Sequence, residues 1–159
     1  MADQLTHLDE EGRLKMVDVG EKEPSERLAR VCGEIRMDPA TARLITGNKI
    51  AKGSVLEAAR LAGIMAAKRT GELIPLCNPL NLTAVCVDFQ VGEDRVLVQT
   101  EAKINDRTGV EMEALVAAST ALLTIYDMCK GVDRGMVIGQ LRLMEKRGGR
   151  SGTWIRGAE

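Results

Sequence analysis

The longest helical pattern in the chain lies between Arg107 and Gly131, where apolar residues recur at intervals of three and four. This spacing places Leu115, Leu122 and Ile125 on one stripe and predicts a helix that packs against a core. Gly131 is a favourable end for the helix, because glycine readily takes the left-handed conformation that closes a helix C-terminus. We therefore expect one long core helix in this stretch.

Strand patterns occupy both sides of that helix. Apolar and polar residues alternate over residues 27–37, 83–91, 96–102 and 136–144, which predicts four strands. A Gly-Glu-Asp turn at 92–94 joins the second and third strands into a β-hairpin.

Two further helices are predicted between the first strand and the hairpin. Asp38 followed by proline starts a short helix that ends near Gly47. Ser54 and Glu57 form a capping box for an alanine-rich helix that ends at Gly71. The order strand, helices, hairpin, helix, strand favours the α+β class, with one antiparallel sheet and its helices on one face.

The segment between the alanine-rich helix and the hairpin contains Pro75 and Pro79, which exclude a regular helix and disfavour a central strand. An apolar, stiff loop is expected, with Cys77 and Asn78 at its centre. The pattern leaves open whether this loop is a structural connector or part of a site.

Size and composition narrow the class of protein. The 159 residues suit a single domain, and one Trp, one Tyr and one Phe mean that the core is aliphatic. A formal net charge of −1 provides no basic field for nucleic acid. No membrane-spanning run or signal peptide is evident, so we expect a cytoplasmic protein. The four cysteines form no CxxC pair and indicate neither a zinc site nor a redox motif.

Ionisable residues cluster at both ends of the long predicted helix. Glu111 and Glu113 lie in its first turn, and Asp127 and Lys130 share a face near its end. Glu113 and Asp127 would be about 21 Å apart along a straight helix. Either the two clusters are unrelated, or two copies of the chain pack so that the start of one helix meets the end of another.

Two more segments are candidates for binding anions. Lys52 and Gly53 precede a helix N-terminus, which suits an anion site, but an exposed loop lysine would have the same sequence. The segment 146–152 combines Lys146 and Arg150 with glycines, as a phosphate-binding loop or a frayed basic terminus would. We expect residues 1–24 to be partly mobile, 25–145 to form the domain, and 146–159 to be a tail near the site.

Several segments resemble one known family. LIPLCNPL, TGVEMEAL, ALLTIYDMCKG and GGRSG, with MVDV near the start, are similar in order and spacing to the MoaC family of molybdenum cofactor biosynthesis. The resemblance implies a cyclic pyranopterin monophosphate synthase that acts on a 3′,8-cyclised dihydro-GTP and releases pyrophosphate. It also implies a ferredoxin-like α+β fold and a hexamer, a trimer of dimers with active sites at subunit interfaces.

The resemblance assigns roles to particular positions. The family's catalytic aspartate falls on Asp127, its catalytic lysines on Lys52 and Lys130, and its acidic pair on Glu111 and Glu113. The substrate-contacting positions that it implies are Leu76, Cys77, Asn78, Met112, Glu113 and Asp18. Lys146 and Arg150, with Lys52, are suited to stabilise charge on the departing pyrophosphate. No metal ligands are implied, although a divalent cation such as Mg²⁺ would be compatible with a triphosphate.

One position departs from the family pattern. The family loop usually reads LCHPL, whereas this chain has Asn78 in place of the histidine. Asparagine forms hydrogen bonds but cannot carry a proton near neutral pH. If the role of the histidine is acid–base, the cost in rate would be about 10²- to 10⁴-fold. The hypotheses are therefore an enzyme impaired at Asn78, an inactive purine-nucleotide-binding assembly protein, and a purely structural oligomer. His7, the chain's only histidine, is expected at the surface.

Overall fold

The computed structural model describes residues 7–157. This part of the chain forms five strands and four helices. They are β1 (Ser25–Arg36), α1 (Pro39–Thr46), α2 (Val55–Ala67), α3 (Thr70–Leu73), β2 (Ala84–Val91), β3 (Arg95–Asp106), α4 (Glu111–Cys129), β4 (Val137–Arg147) and β5 (Trp154–Ile155).

The five strands form one antiparallel sheet in the order β2-β3-β1-β4-β5. The central strand β1 pairs with β3 along its whole length, from Ser25 opposite Asp106 to Arg36 opposite Arg95. The predicted hairpin is present as β2 and β3. The α+β class is confirmed, while the ferredoxin-like assignment remains a prediction.

The core lies between the sheet and the helices. Alternate residues of β1 and β3, such as Val31 and Val98, are buried against α4, where Leu122 and Ile125 are fully buried. Small residues let α2 and α4 approach closely: a Cβ at Gly63 would lie 2.9 Å from the Ala117 carbonyl oxygen. An aliphatic core with few aromatic residues is thus compatible with close packing.

Within residues 7–157, α4 is the one helix that is long and apolar enough, by length and composition alone, to cross a membrane. Its position in the fold is that of a core helix, packed against β1, β3, β4 and α2. Thr100 Oγ1 in β3 donates a hydrogen bond of 2.7 Å to the Ala114 carbonyl, so helix and sheet are also joined by a buried polar contact.

Three local predictions were wrong. Ser54 is the N-cap residue of α2, but its side chain makes no capping hydrogen bond, and Glu57 pairs with Arg60 instead. The helix ends at Ala67, before the predicted Gly71, which lies inside α3. Lys146 belongs to β4 rather than to a tail, because the strand continues to pair with β1 and β5.

Residues 7–24 contain no helix and only one isolated β-bridge, Leu8 to Leu14. Parts of the predicted N-terminal segment 1–24 and tail 146–159, residues 1–6 and 158–159, lie outside the described residues.

Candidate active site

The candidate site residues fall mainly into two clusters at opposite ends of α4. Glu111 and Glu113 occupy its first turn, and Asp127 lies in its last turn beside Lys130. Because α4 is one continuous helix, Glu113 and Asp127 are separated by about 21 Å in a single chain at 1.5 Å per residue. A single chain therefore keeps the two clusters apart.

The first cluster surrounds a cavity of about 330 Å³, here called the Asn78 cavity. Three segments form its walls: the N-terminal segment, the proline-containing loop and the start of α4. The lining residues are His7, Val17, Val19, Lys22, Leu76, Cys77, Asn78, Leu80, Thr108, Gly109, Glu111, Met112 and Glu113. The structure thus brings together the residues predicted on the loop and on the first turn of α4.

The loop that carries Asn78 is held close to α3. A Cβ on Gly71 would lie 3.1 Å from the Cα atom of Pro79, so the absence of a side chain at 71 allows the loop to approach. At the start of the loop, the Ile74 and Cys77 amides donate to the carbonyls of Thr70 and Ile74 at 2.9 and 3.1 Å. Gly71 thus serves the packing of this loop and does not mark the end of α2, which lies at Ala67.

Glu113 is the buried acid of the cavity, with 3% of its surface exposed. Burial raises its pKa to about 6, and the nearby charge of Glu111 acts in the same direction. Burial also raises the pKa of the Cys77 thiol, and the negative charge of Glu113 raises it further. Glu113 can therefore exchange a proton near neutral pH, whereas Cys77 is held as a thiol.

The second cluster joins Asp127 to two lysines, here called the lysine–aspartate cluster. Lys130 Nζ lies 2.7 Å from Asp127 Oδ1. Lys52 Nζ donates to the Asp127 backbone carbonyl at 2.9 Å and lies 3.5 Å from Oδ2. The hydrogen bond from Lys130 lowers the pKa of Asp127, and the positive charges of both lysines add to this effect. The carboxylate is anionic, and the cluster of three has a net positive charge suited to an anionic ligand.

Lys52 is exposed in the loop before α2, as the loop-lysine alternative expects. Its ammonium group also contacts the end of α4, so its role as an anion-binding residue stays a prediction. The adjacent Gly53 has a φ of +106°, a conformation that side chains rarely adopt. Gly53 thus forms the turn between Lys52, which contacts the end of α4, and the N-terminus of α2.

Asp18, Lys146 and Arg150 line neither the Asn78 cavity nor the lysine–aspartate cluster. Asp18 is exposed, and its Oδ1 accepts a hydrogen bond from the Gly20 amide at 2.8 Å. Lys146 Nζ contacts the Gly148 carbonyl at 3.2 Å and the Ser151 hydroxyl.

Arg150 lines a second depression of about 460 Å³ with Lys22 and Arg27. A Cβ on Gly149 would collide with the Arg27 guanidinium, so glycine permits this packing of the tail against β1. Since Lys22 also lines the Asn78 cavity, the two depressions share a wall.

Comparison with known proteins identifies the family. The chain matches the MoaC family over residues 16–149. The chain belongs to the MoaC family. It is 55% identical over 155 residues to a cyclic pyranopterin monophosphate synthase of Thermomicrobium roseum, covering 96% of this chain and 93% of the relative. A synthase of the same name from Magnetococcus marinus is 56% identical over 157 residues, covering 98% and 96%.

Sequence reasoning missed several lining residues of this MoaC-family chain, notably His7, Lys22 and Thr108. Val17 and Val19 belong to the MVDV segment, whose resemblance to the family was the one signal that the N-terminal segment returns to the site. His7 is exposed, as expected, but it also lines the Asn78 cavity.

Replacing Glu113 by glutamine is expected to stabilise the fold above about pH 6. Below the ordinary pKa of 4.5 the carboxyl is protonated in both states, but as the pH rises towards about 6 only the unfolded chain releases the proton. Folding stability then falls by about 2 kcal/mol, a penalty that glutamine avoids. Urea unfolding should show this gain near pH 8 and none near pH 4. An equal gain at both pH values, or one matched by the exposed control Glu57→Gln, would contradict the burial argument.

Proposed function

We propose that the chain is a cyclic pyranopterin monophosphate synthase, a phosphorus–oxygen lyase that converts 3′,8-cyclo-7,8-dihydro-GTP to cyclic pyranopterin monophosphate and pyrophosphate. The observation that carries the proposal is the convergence of Lys52 and Lys130 on Asp127 in a chain of the MoaC family. A protein that only binds nucleotides has no need of this acid–base arrangement. The names of the relatives support the same activity.

The proposed reaction has two chemical parts that the two clusters can serve. Rebuilding the purine-derived ring as a pterin requires proton transfers, for which Glu113 in its buried position is a suitable acid or base. Forming the cyclic phosphate requires a sugar hydroxyl to attack the α-phosphorus while the bond to pyrophosphate breaks. Lys52 and Lys130 would stabilise negative charge in this step, with Asp127 holding both ammonium groups in place.

Both parts require the clusters to meet around one substrate, which a single α4 prevents by its length. We therefore extend the proposal to an oligomer, a hexamer built from dimers, in which the Asn78 cavity of one subunit faces the lysine–aspartate cluster of another. Lys146 and Arg150 are proposed to contact the phosphates as a third element.

The proposal also places the enzyme in the cytoplasm, where its GTP-derived substrate would be found. A divalent cation such as Mg²⁺ is proposed to arrive with the triphosphate. Within residues 7–157, no group of three or more His, Cys, Asp or Glu side chains is placed to hold a metal ion. Coordination by substrate phosphates would therefore contribute most of the ligands.

Asn78 favours a second candidate, an inactive purine-nucleotide-binding assembly protein with the same fold. The test is single-turnover conversion of the cyclised dihydro-GTP by the unchanged chain and by Asn78→His, following pterin and pyrophosphate together. We expect turnover by both, with rates within about 10-fold, because Asn78 shares its cavity with other proton-transfer groups. Tight binding with turnover only after histidine is restored would support the inactive binder.

A further inference from the structure

One of the residues that line the Asn78 cavity is a histidine that the proposed roles do not use. His7 lines the cavity together with Asn78, Glu111 and Glu113, although 71 positions separate it from Asn78 in the sequence. Imidazole is the side chain best suited to transfer protons near neutral pH, whereas the amide of Asn78 can only form hydrogen bonds. The residues that line the cavity therefore include an acid–base group, although position 78 lacks one.

A short hydrogen-bonded turn holds His7 at this wall. The Lys15 amide donates to the His7 carbonyl at 2.9 Å, and Leu8 pairs with Leu14 in a β-bridge. Inside the turn, Asp9 Oδ1 accepts hydrogen bonds from the amides of Glu11 and Arg13 at 3.0 and 2.8 Å. The backbone at His7 is thus fixed by contacts that do not involve its side chain.

The segment after this turn continues along the cavity. Val17, Val19 and Lys22 also line it, and Arg107 Nε donates to the Lys22 carbonyl at 2.8 Å. The N-terminal segment is therefore anchored on both sides of the wall, once through the turn at 7–15 and once through the loop before α4.

We propose that His7 is a proton-transfer residue of the Asn78 cavity, exchanging with the substrate a proton that asparagine at position 78 cannot carry. The inference rests on the proposed synthase function. At His7 only an N–H bond is made or broken, and because the side chain is exposed, solvent restores its protonation state after each transfer.

Relocating the imidazole tests the proposal. His7→Gln is expected to slow single-turnover pterin formation by about 10²-fold, with substrate affinity little changed, because a general acid or base is lost. In the double variant His7→Gln/Asn78→His, an imidazole returns to the same cavity from the loop, and we expect at least a tenfold recovery over His7→Gln. If the role of His7 were purely structural, a histidine at position 78 would not restore the rate.

Lys15→Gln is the matched control, because it changes an exposed side chain of the same turn and leaves the amide that bonds His7. Its rate should equal that of the unchanged chain. Normal turnover by His7→Gln, or no recovery in a folded double variant that binds substrate, would overturn this proposal alone. Absence of turnover in the unchanged chain would overturn the proposed function, and the role of His7 with it.

Discussion

Asp127→Asn is expected to slow formation of cyclic pyranopterin monophosphate by about 10²- to 10³-fold, the range found when an electrostatic stabiliser of a transition state is lost. In the native cluster the anionic carboxylate contacts Lys130 at 2.7 Å and Lys52 at 3.5 Å. A neutral amide lacks the charge that attracts two ammonium groups, so Lys130 would lose its ion pair and Lys52 would keep only its hydrogen bond to the backbone carbonyl. Steady-state and single-turnover rates of product and pyrophosphate formation measure the effect.

The melting temperature of Asp127→Asn should stay close to that of the unchanged chain, because ion pairs between exposed side chains contribute little to stability. Asp88→Asn is the matched control, since it removes another exposed carboxylate that pairs with a basic side chain, Arg60, on a different part of the surface. Equal rates for the two asparagine variants would show that Asp127 has no catalytic role.

The ends of α4 could be predicted from the sequence because their signals are local. Glu111 and Glu113 mark the first turn, and the apolar stripe continues to Cys129, two residues before Gly131. Asp127 and Lys130 are three positions apart, so the spacing alone places them together on the helix surface. The hairpin was equally accessible, because its alternation and its turn lie within one short segment.

Contacts between distant segments could not be predicted in this way. Lys52 contacts Asp127 across 75 positions, and His7 lines the same cavity as Asn78 across 71, and no periodicity encodes such pairs. The resemblance to the MoaC family suggested which residues share a site, but it did not show that Asp18 and Lys146 lie apart from the two clusters.

The capping box failed for a related reason. Ser54 and Glu57 have the right spacing, but Arg60 is also within reach of Glu57. The Arg60 Nε atom lies 3.3 Å from Glu57 Oε1 and forms an ion pair with it. Local rules describe which partners are available nearby, whereas competition among partners is decided by the surrounding structure. Strand β5 was missed because two residues pairing with the end of β4 leave no detectable pattern.

The separation of the two clusters is the feature of the fold with the strongest consequence for function. If one substrate contacts both, every active site takes the Asn78 cavity from one subunit and the lysine–aspartate cluster from another. Glu113→Ala and Asp127→Ala would then damage different halves of each site. Each variant alone is expected to be inactive, because every site carries a lesion.

Co-assembly of these two variants should restore activity. With random pairing in equal amounts, a site is intact when Glu113 comes from an Asp127→Ala subunit and Asp127 from a Glu113→Ala subunit, so about one quarter of sites recover in a symmetric interface. Co-expression with two different tags, followed by purification on both, provides the mixed assemblies for the turnover assay.

A second mixture shows whether recovery reflects shared sites. Asp127→Ala and Lys130→Ala both damage the lysine–aspartate cluster, so every site in their co-assembly keeps one lesion whichever subunits meet. That mixture should stay inactive, and activity in it would indicate residual activity of the variants rather than shared sites. If the Glu113 and Asp127 mixture also stays inactive although both tags co-purify, the two clusters do not act on one substrate. The reaction would then have to be carried out at one end of α4.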